Sequence, residues 1–319
     1  MFFHKDIEAL PVEDLRIRQL ELLNGSLERA ALSLYYGKVL KEAGVSKLGS
    51  LDEVSNLPFT GKQDLRDHFP YGMLALPLDD VVRMHSSSGT TGNPTVVFHT
   101  KRDLELWSDI VARSMYMTGL RKSDVFQNMM GYGLFTGGIG FHYGAEKLGC
   151  MIIPTGPGNS KRQIWFLQTF KTTAIHILPS YALRLHSFFE EADVDPINDL
   201  SLKIAFVGAE PHTEALRRQV EKLYGLKAFN SYGLSEMCGP GVAFECPEQN
   251  GMHIWEDQFY PEIIDPDTGK VLPDGEVGEL VLTSLCREAM PLLRYRTRDL
   301  TRIIPGECPC GRTHAELTA

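Results

Sequence analysis

The chain has 319 residues, is 43% hydrophobic and 23% charged, and carries a formal net charge of −9. These values suit an ordinary globular protein and disfavour a general nucleic-acid groove, which needs a basic stripe. No run approaches the roughly 18 apolar residues of a membrane span, and "MFFHKDIEALPVEDL" has charges where a signal peptide needs its apolar stretch, so a cytoplasmic location is expected.

In chain order, residues 13–43 read as helical, with Leu27, Ala30, Ala31 and Leu34 at the spacing of one face. "TGKQDLRDHF" offers a capping box with Thr60 as N-cap and Gln63 three residues on. Two strands, "VVRMH" and "TVVFH", occupy about 81–99, and a helix follows Thr100 to about 118. The chain then alternates. "VFQNMMGYG", "CMIIP", "TAIHILP", "KIAFVGAE" and "KAFNSYG" are strand-like, separated by the helix-like "GGIGFHYGAEKLG", "RQIWFLQTFK", "SYALRLHSFFEEA" and "TEALRRQVEKLYG". In the last of these Thr213 can cap the start, Leu216, Val220 and Leu223 form a stripe, and Gly225 can stop the helix.

This alternation implies an α/β fold of layered sheets with covering helices. The texture changes after residue 237, where "FYPEIIDPDTGKVLPDGEVGELVLTSL" reads as strand, turn, strand. The expected organisation is an α/β part over 1–237 and a β-rich subdomain over 238–319.

"SSSGTTGNPT", residues 86–95, is a hydroxyl- and glycine-rich loop of the kind that wraps phosphate oxygens. A P-loop needs a lysine after its last glycine and then a helix. Here Asn93 and Pro94 follow Gly92, and the next segment is a strand, so the loop is a different cradle. In doubly wound sheets ligands collect at the carboxyl ends of strands. "GAEP" at 208–211, "NSYGLSE" at 230–236 and "YGLFTGG" at 132–138 are candidate loops of that kind, and "RYRTRDL" at 294–300 adds Asp299 among three arginines. Together they supply backbone N–H groups and hydroxyls for phosphate, an aromatic ring for a base, a carboxylate for Mg²⁺ and another for ribose.

Taken in order, "SSSGTTGNPTVV", "GYGLFTGGIGFHYGAEKLG", "PSYALRL", "NSYGLSEMCGPGVAFEC", "NGMHIWEDQFYPEIIDPDTGKVLPDGEVGELV" and "PLLRYRTRDLTR" resemble the phenylacetate–CoA ligases, a branch of the adenylate-forming acyl-CoA synthetases. The resemblance runs from about residue 5 to the end. It implies the N-terminal large domain of that fold, ATP, Mg²⁺ and coenzyme A as cofactors, a small aryl acid as substrate, and a homodimer.

By the same resemblance, Ser86, Ser87, Ser88, Gly89, Thr90, Thr91 and Gly92 form the triphosphate loop. Gly208, Ala209 and Glu210 form the adenine-side turn, and Ser231, Tyr232 and Gly233 the segment whose tyrosine stacks on the base. Ser235 stands near the α-phosphate, Glu236 is the Mg²⁺ carboxylate and Asp299 the ribose ligand. Tyr132, Phe135 and Gly137 fall in the segment lining the aryl pocket.

Two departures stand out. Asn93 replaces a lysine common in that loop. The chain also stops at "GRTHAELTA", before the hinge to a small mobile domain whose lysine serves adenylation, so the expectation is binding of ATP and acid with poor turnover.

Six cysteines are few for this length and form no disulfide scaffold. Cys150, Cys238 and Cys286 read as buried reduced thiols. Cys246, His253, Cys308 and Cys310 make a four-ligand set suited to structural zinc, with His314 in reserve, an inference from ligand chemistry alone. The function expected is ATP-dependent ligation of an aryl acid, phenylacetate, to coenzyme A, releasing AMP and pyrophosphate. The alternatives are a ligase for another carboxylic acid, or a catalytically silent nucleotide- or acyl-binding protein.

Overall fold

Local signals fix the helix ends of the α/β alternation. Thr213 Oγ1 accepts from the Leu216 N–H at 3.2 Å to start the helix Glu214–Tyr224, and Gly225, at φ 65°, ends it in the left-handed conformation. The computed structural model describes residues 1–87 and 94–318, and the chain divides into two units that interleave along the sequence. The change of sequence texture places a single cut, after residue 237, instead. From residue 238 on, the regular structure among the described residues is strand alone.

One unit comprises Met1–Phe3, Trp107–Leu234 and Gly239–Met252. Its strands run in the spatial order Met151–Ile153, Val125–Asn128, Ala174–His176, Ile204–Gly208, Lys227–Leu234, Gly239–Glu245. The first five are mutually parallel and the last is antiparallel to its neighbour. Parallel neighbours need long crossovers, and the helices Thr136–Leu148, Ser160–Thr169, Pro179–Glu191 and Glu214–Tyr224 provide them. A strand covered on both faces loses the apolar–polar alternation, and Ile204–Gly208 is buried throughout. Helices and strands meet in a core containing Leu167, Ile175, Leu185, Phe189, Val207 and Val220.

The inward face of Glu214–Tyr224 is Arg217, Val220 and Tyr224, while Leu216 and Leu223 of the expected stripe are only half-buried. Arg217 reaches that face because its guanidinium is fully engaged. It pairs with Glu214 and Glu221 and donates to Ala228 O at 3.1 Å.

The other unit comprises His4–Leu106, Ser235–Cys238 and His253–Ala319. It holds the antiparallel pair Arg83–Ser86 and Val96–His99, the antiparallel sheet Phe259–Ile264, Gly278–Ser284, Tyr295–Thr301, and the short pair Ile303–Ile304 and Glu316–Leu317. Its N-terminal helical stretch breaks where a continuous helix was expected. Ser33 Oγ accepts from the Tyr36 N–H at 3.1 Å and starts a second helix, Leu34–Ala43, after Val12–Ala30. The break rotates the face, so Leu27 and Ala30 are buried but Ala31 and Leu34 are exposed.

The expected Thr60 capping box is also corrected. Gly61 is the N-cap of Lys62–Asp67, with its N–H donated to Asp64 Oδ2 at 2.7 Å, and Thr60 Oγ1 instead meets the Tyr36 hydroxyl at 2.7 Å. Cys150 and Cys238 are buried free thiols, whereas Cys286 is free but only partly buried. Among the described residues no helix is long and apolar enough to cross a membrane.

Candidate active site

The 86–95 segment connects two paired antiparallel strands, so it leads from strand to strand as its sequence indicates. Ser88, Gly89, Thr90, Thr91 and Gly92, with Asn93, lie outside the described residues. The loop's base is closed on both sides: the Ser87 N–H donates to Thr95 O and the Thr95 N–H to Ser87 Oγ, both at 3.0 Å. The buried Ser86 hydroxyl donates to Ser87 O at 2.9 Å.

Thr95 then reaches the predicted magnesium carboxylate. Its hydroxyl donates to Glu236 Oε1 at 3.3 Å, and Lys62 Nζ lies 3.5 Å from the same oxygen. Glu236 is only 5% exposed, while half of the Lys62 side chain is in solvent, so the cation is loosely held and screened. Arg287 fixes the short turn Ser235–Met237 by donating to Glu236 O at 2.6 Å and to Phe98 O at 3.1 Å. Ser235 is half-buried on that turn.

Burial first, and then the charge of Glu236, push the Tyr295 phenol well above its ordinary range, with a smaller contribution from Asp299. Tyr295 thus lies within the electrostatic reach of both predicted carboxylates. Mg²⁺ takes one or two carboxylates and completes its shell with phosphate oxygens and water. A single desolvated carboxylate beside a hydroxyl and a mobile cation fits that demand.

The three arginines around Asp299 turn to other acids. Arg294 bonds Glu262 through two N–H···O contacts of 2.9 Å, donates to Ser55 O and Leu57 O, and lies over the Phe59 ring. Arg296 grips Glu279, and Arg298 Nη1 lies 3.5 Å from the same carboxylate. Asp299 is exposed, with its N–H on Thr297 Oγ1 at 3.1 Å. The motif thus pins its own strand and presents the aspartate at the surface.

In the first unit the strand Ile204–Gly208 ends in two left-handed residues, Gly208 at φ 156° and Ala209 at φ 62°. A Cβ on Gly208 would stand 2.6 Å from the carbonyl of Ser231, its register partner, so only glycine fits. Ala209 holds a conformation costing of order 1 kcal/mol, and such residues concentrate at functional turns. Glu210 closes the turn by accepting from the Ser180 N–H at 2.6 Å and the Ser180 hydroxyl at 2.9 Å, at the N-terminus of Pro179–Glu191. Ser231, Tyr232 and Gly233 lie on the adjacent strand, with a bulge after the half-exposed Tyr232.

Asn128, which sequence reasoning missed, organises the expected aryl segment. Its amide nitrogen donates to the Tyr132 hydroxyl at 2.9 Å and to Gly138 O at 2.6 Å, while its oxygen accepts from the Met130 N–H and faces His176 Nδ1, both at 3.2 Å. Burial holds His176 down at about 3, so its ring is neutral, and it packs on Phe141 at 3.8 Å between centroids. Burial also pushes the Tyr132 phenol up to about 12. Tyr132 and Phe135 are exposed, and Gly137 is buried at the start of Thr136–Leu148.

Of the predicted metal ligands, His253, Cys308 and Cys310 come together in the second unit, with ligand atoms within 4.8 Å of one another. Cys246 is buried just after the strand Gly239–Glu245 of the first unit. Of the residues around Glu236, Lys62 and Arg287 carried no functional signal in the sequence, whereas Thr95 ends the 86–95 loop segment and Tyr295 lies inside "RYRTRDL".

Comparison with known proteins identifies the family and the fold. The AMP-binding enzyme family model matches residues 26–286. The phenylacetate–coenzyme A ligase of Pseudomonas putida is 51% identical over 316 residues, which is 98% of this chain and 72% of that enzyme. The enzyme of the same name from Escherichia coli is 45% identical over 304 residues, 94% of this chain and 70% of its own. The crystal structure of 2-hydroxyisobutyryl-CoA ligase in complex with 2-HIB-AMP and CoA superposes with a TM-score of 0.92 at 30% identity, covering 98% of this chain and 70% of that one. The chain therefore belongs to the AMP-binding enzyme family and, within it, to the phenylacetate–coenzyme A ligases.

Proposed function

We propose that this chain activates phenylacetate with ATP and Mg²⁺ and passes the acyl group to coenzyme A, releasing AMP and pyrophosphate. The observation that carries the reading is Thr95, which closes the base of the glycine loop through Ser87 and donates its hydroxyl to Glu236. One residue thereby links the expected phosphate cradle to the expected magnesium carboxylate. The choice of acid rests on the relatives, four of which, at 45–51% identity, bear the name phenylacetate–coenzyme A ligase.

A carboxylate is a poor nucleophile towards an anionic triphosphate, because like charges repel. Mg²⁺ supplies neutralisation of the phosphate charge. The protein's part is positional. The loop N–H groups and hydroxyls of Ser86 to Gly92 hold the triphosphate, and Ser235 stands by the α-phosphate. Glu236, held by Thr95 and Arg287, gives the metal a fixed ligand. Tyr232 stacks on the adenine beside the Gly208–Glu210 turn, and Asp299 binds the ribose.

Tyr132, Phe135 and Gly137 face the aryl group, with Tyr132 oriented by Asn128. Holding acid and ATP in register contributes on the order of 7 kcal/mol towards adenylation. The acyl-adenylate then yields to coenzyme A thiolate attack, with AMP leaving. A homodimer in the cytoplasm completes the reading, and Zn²⁺ takes no part in the reaction.

Acid-dependent exchange of pyrophosphate into ATP, measured across aryl acids, tests this. Phenylacetate should support the fastest exchange. Benzoate or indole acetate outpacing it would move the specificity elsewhere, and exchange with no acid tried would refute adenylation.

A further inference from the structure

Away from the nucleotide residues, the second unit gathers soft metal ligands around a fully buried imidazole. His253 Nδ1 lies 2.9 Å from His314 O, and since a carbonyl can only accept, Nδ1 carries the proton. The lone pair of Nε2 is therefore free in the neutral ring, and it faces Cys310 Sγ at 3.2 Å. Glu316 Oε1 lies 3.3 Å from the same nitrogen, is buried, and accepts no hydrogen bond among the described residues. An imidazole lone pair, two sulfurs and a carboxylate oxygen thus converge in a largely buried space, with Cys310 partly exposed.

A guanidinium adjoins the Cys310 sulfur. Arg312 Nη1 lies 3.6 Å from Cys310 Sγ as a donor, and its guanidinium is itself held by two contacts, 2.7 and 3.0 Å, to the fully buried Glu8. An imidazole oriented by a backbone carbonyl and a sulfur oriented by a guanidinium are the outer contacts that tune zinc sites.

We propose that His253, Cys308 and Cys310, joined by Cys246 seven residues before His253 in the chain, hold a structural Zn²⁺. Three thiolates and one imidazole match the soft tetrahedral preference of zinc over harder divalent ions. The set leaves no open position, so the ion clamps the C-terminal strand pair and performs no chemistry. Through Arg312 and Glu8 the clamp extends to the first helical turn of the chain, Lys5–Glu8. The site goes beyond the ligase reading and stands or falls independently of the acid activated.

Metal analysis of protein purified without chelators should find about one zinc per chain. Cys310→Ser should lower that to below about a tenth and lower Tm, whereas Cys150→Ser should leave both unchanged. Should Cys310→Ser fail to fold, Co²⁺ exchanged into the unaltered protein gives a second readout, with intense tetrahedral d–d bands and thiolate charge-transfer absorption expected. Absence of zinc after dialysis against it, together with absence of those bands, would overturn the site. Cys246→Ser protein retaining zinc with an unchanged cobalt spectrum would overturn the four-ligand assignment.

Discussion

Replacing Arg294 by methionine removes the guanidinium that ties the Asp299-bearing strand to its unit. Both partners of the Arg294–Glu262 pair are almost fully buried, at 3% and 4% side-chain exposure, and two contacts of 2.9 Å join them. Deleting one partner of such a pair leaves an uncompensated buried charge, at a cost of about 3–5 kcal/mol. Ser55 O and Leu57 O lose their donor in the same step, which keeps the expectation at about 4 kcal/mol.

The deficit also carries a pH signature. Burial already raises the Glu262 carboxyl above its usual value, and Arg294 is the opposing influence. Without Arg294 the folded carboxyl rises further, so the folded variant holds a proton that the unfolded chain releases. Stability of Arg294→Met should therefore fall as pH rises above the ordinary carboxylate value and recover as pH falls towards it. Urea unfolding near pH 7.5 and pH 5 measures this, and Arg294→Met combined with Glu262→Leu should restore most of the loss. A single-variant loss below about 1 kcal/mol at neutral pH, or one that grows on acidification, would refute the reasoning.

Gly138→Ala should cost about 1–3 kcal/mol and raise KM for the aryl acid, because its Cβ would stand 2.4 Å from Gly131 O and disturb the carbonyl that Asn128 bonds. Thermal unfolding and steady-state kinetics check both parts, and an unchanged KM would separate Asn128 from the acid site. His176, held neutral down to about 3 by burial, contributes stability that is fully present above about pH 6.5 and is lost as pH falls towards 3. The acid limb of the unfolding curve should amount to a few kcal/mol and should flatten in His176→Gln, which keeps a donor for Asn128.

Local patterns announced what local physics decides. The Thr213 cap, the Gly225 stop and the run of strands and helices from 125 to 234 follow from capping chemistry and hydrophobic period, and all are present. Leu34 falls off the expected face because one serine hydroxyl starts a new helix where periodicity would continue the old one. Thr60 was misassigned as a cap because its hydroxyl has a tertiary partner, Tyr36, that no local window contains.

The same limit applies at the site. The glycine loop, Glu236 and Asp299 are legible as motifs, but the partners of Arg294 and of Glu236 are not. Glu262 is 32 residues from Arg294, and Thr95 is 141 residues from Glu236. Such pairings are set by sheet register and burial, to which sequence spacing is blind.

The central claim is that Glu236 is the carboxylate through which magnesium nucleotide is held. Calorimetric titration of ATP, with and without Mg²⁺, into the unaltered protein and Glu236→Gln tests it most directly. Mg²⁺ should strengthen ATP binding to the unaltered protein, and Glu236→Gln should lose that strengthening, about tenfold or more, with its fold intact by circular dichroism. Equal magnesium-dependent affinity in the two proteins would contradict it.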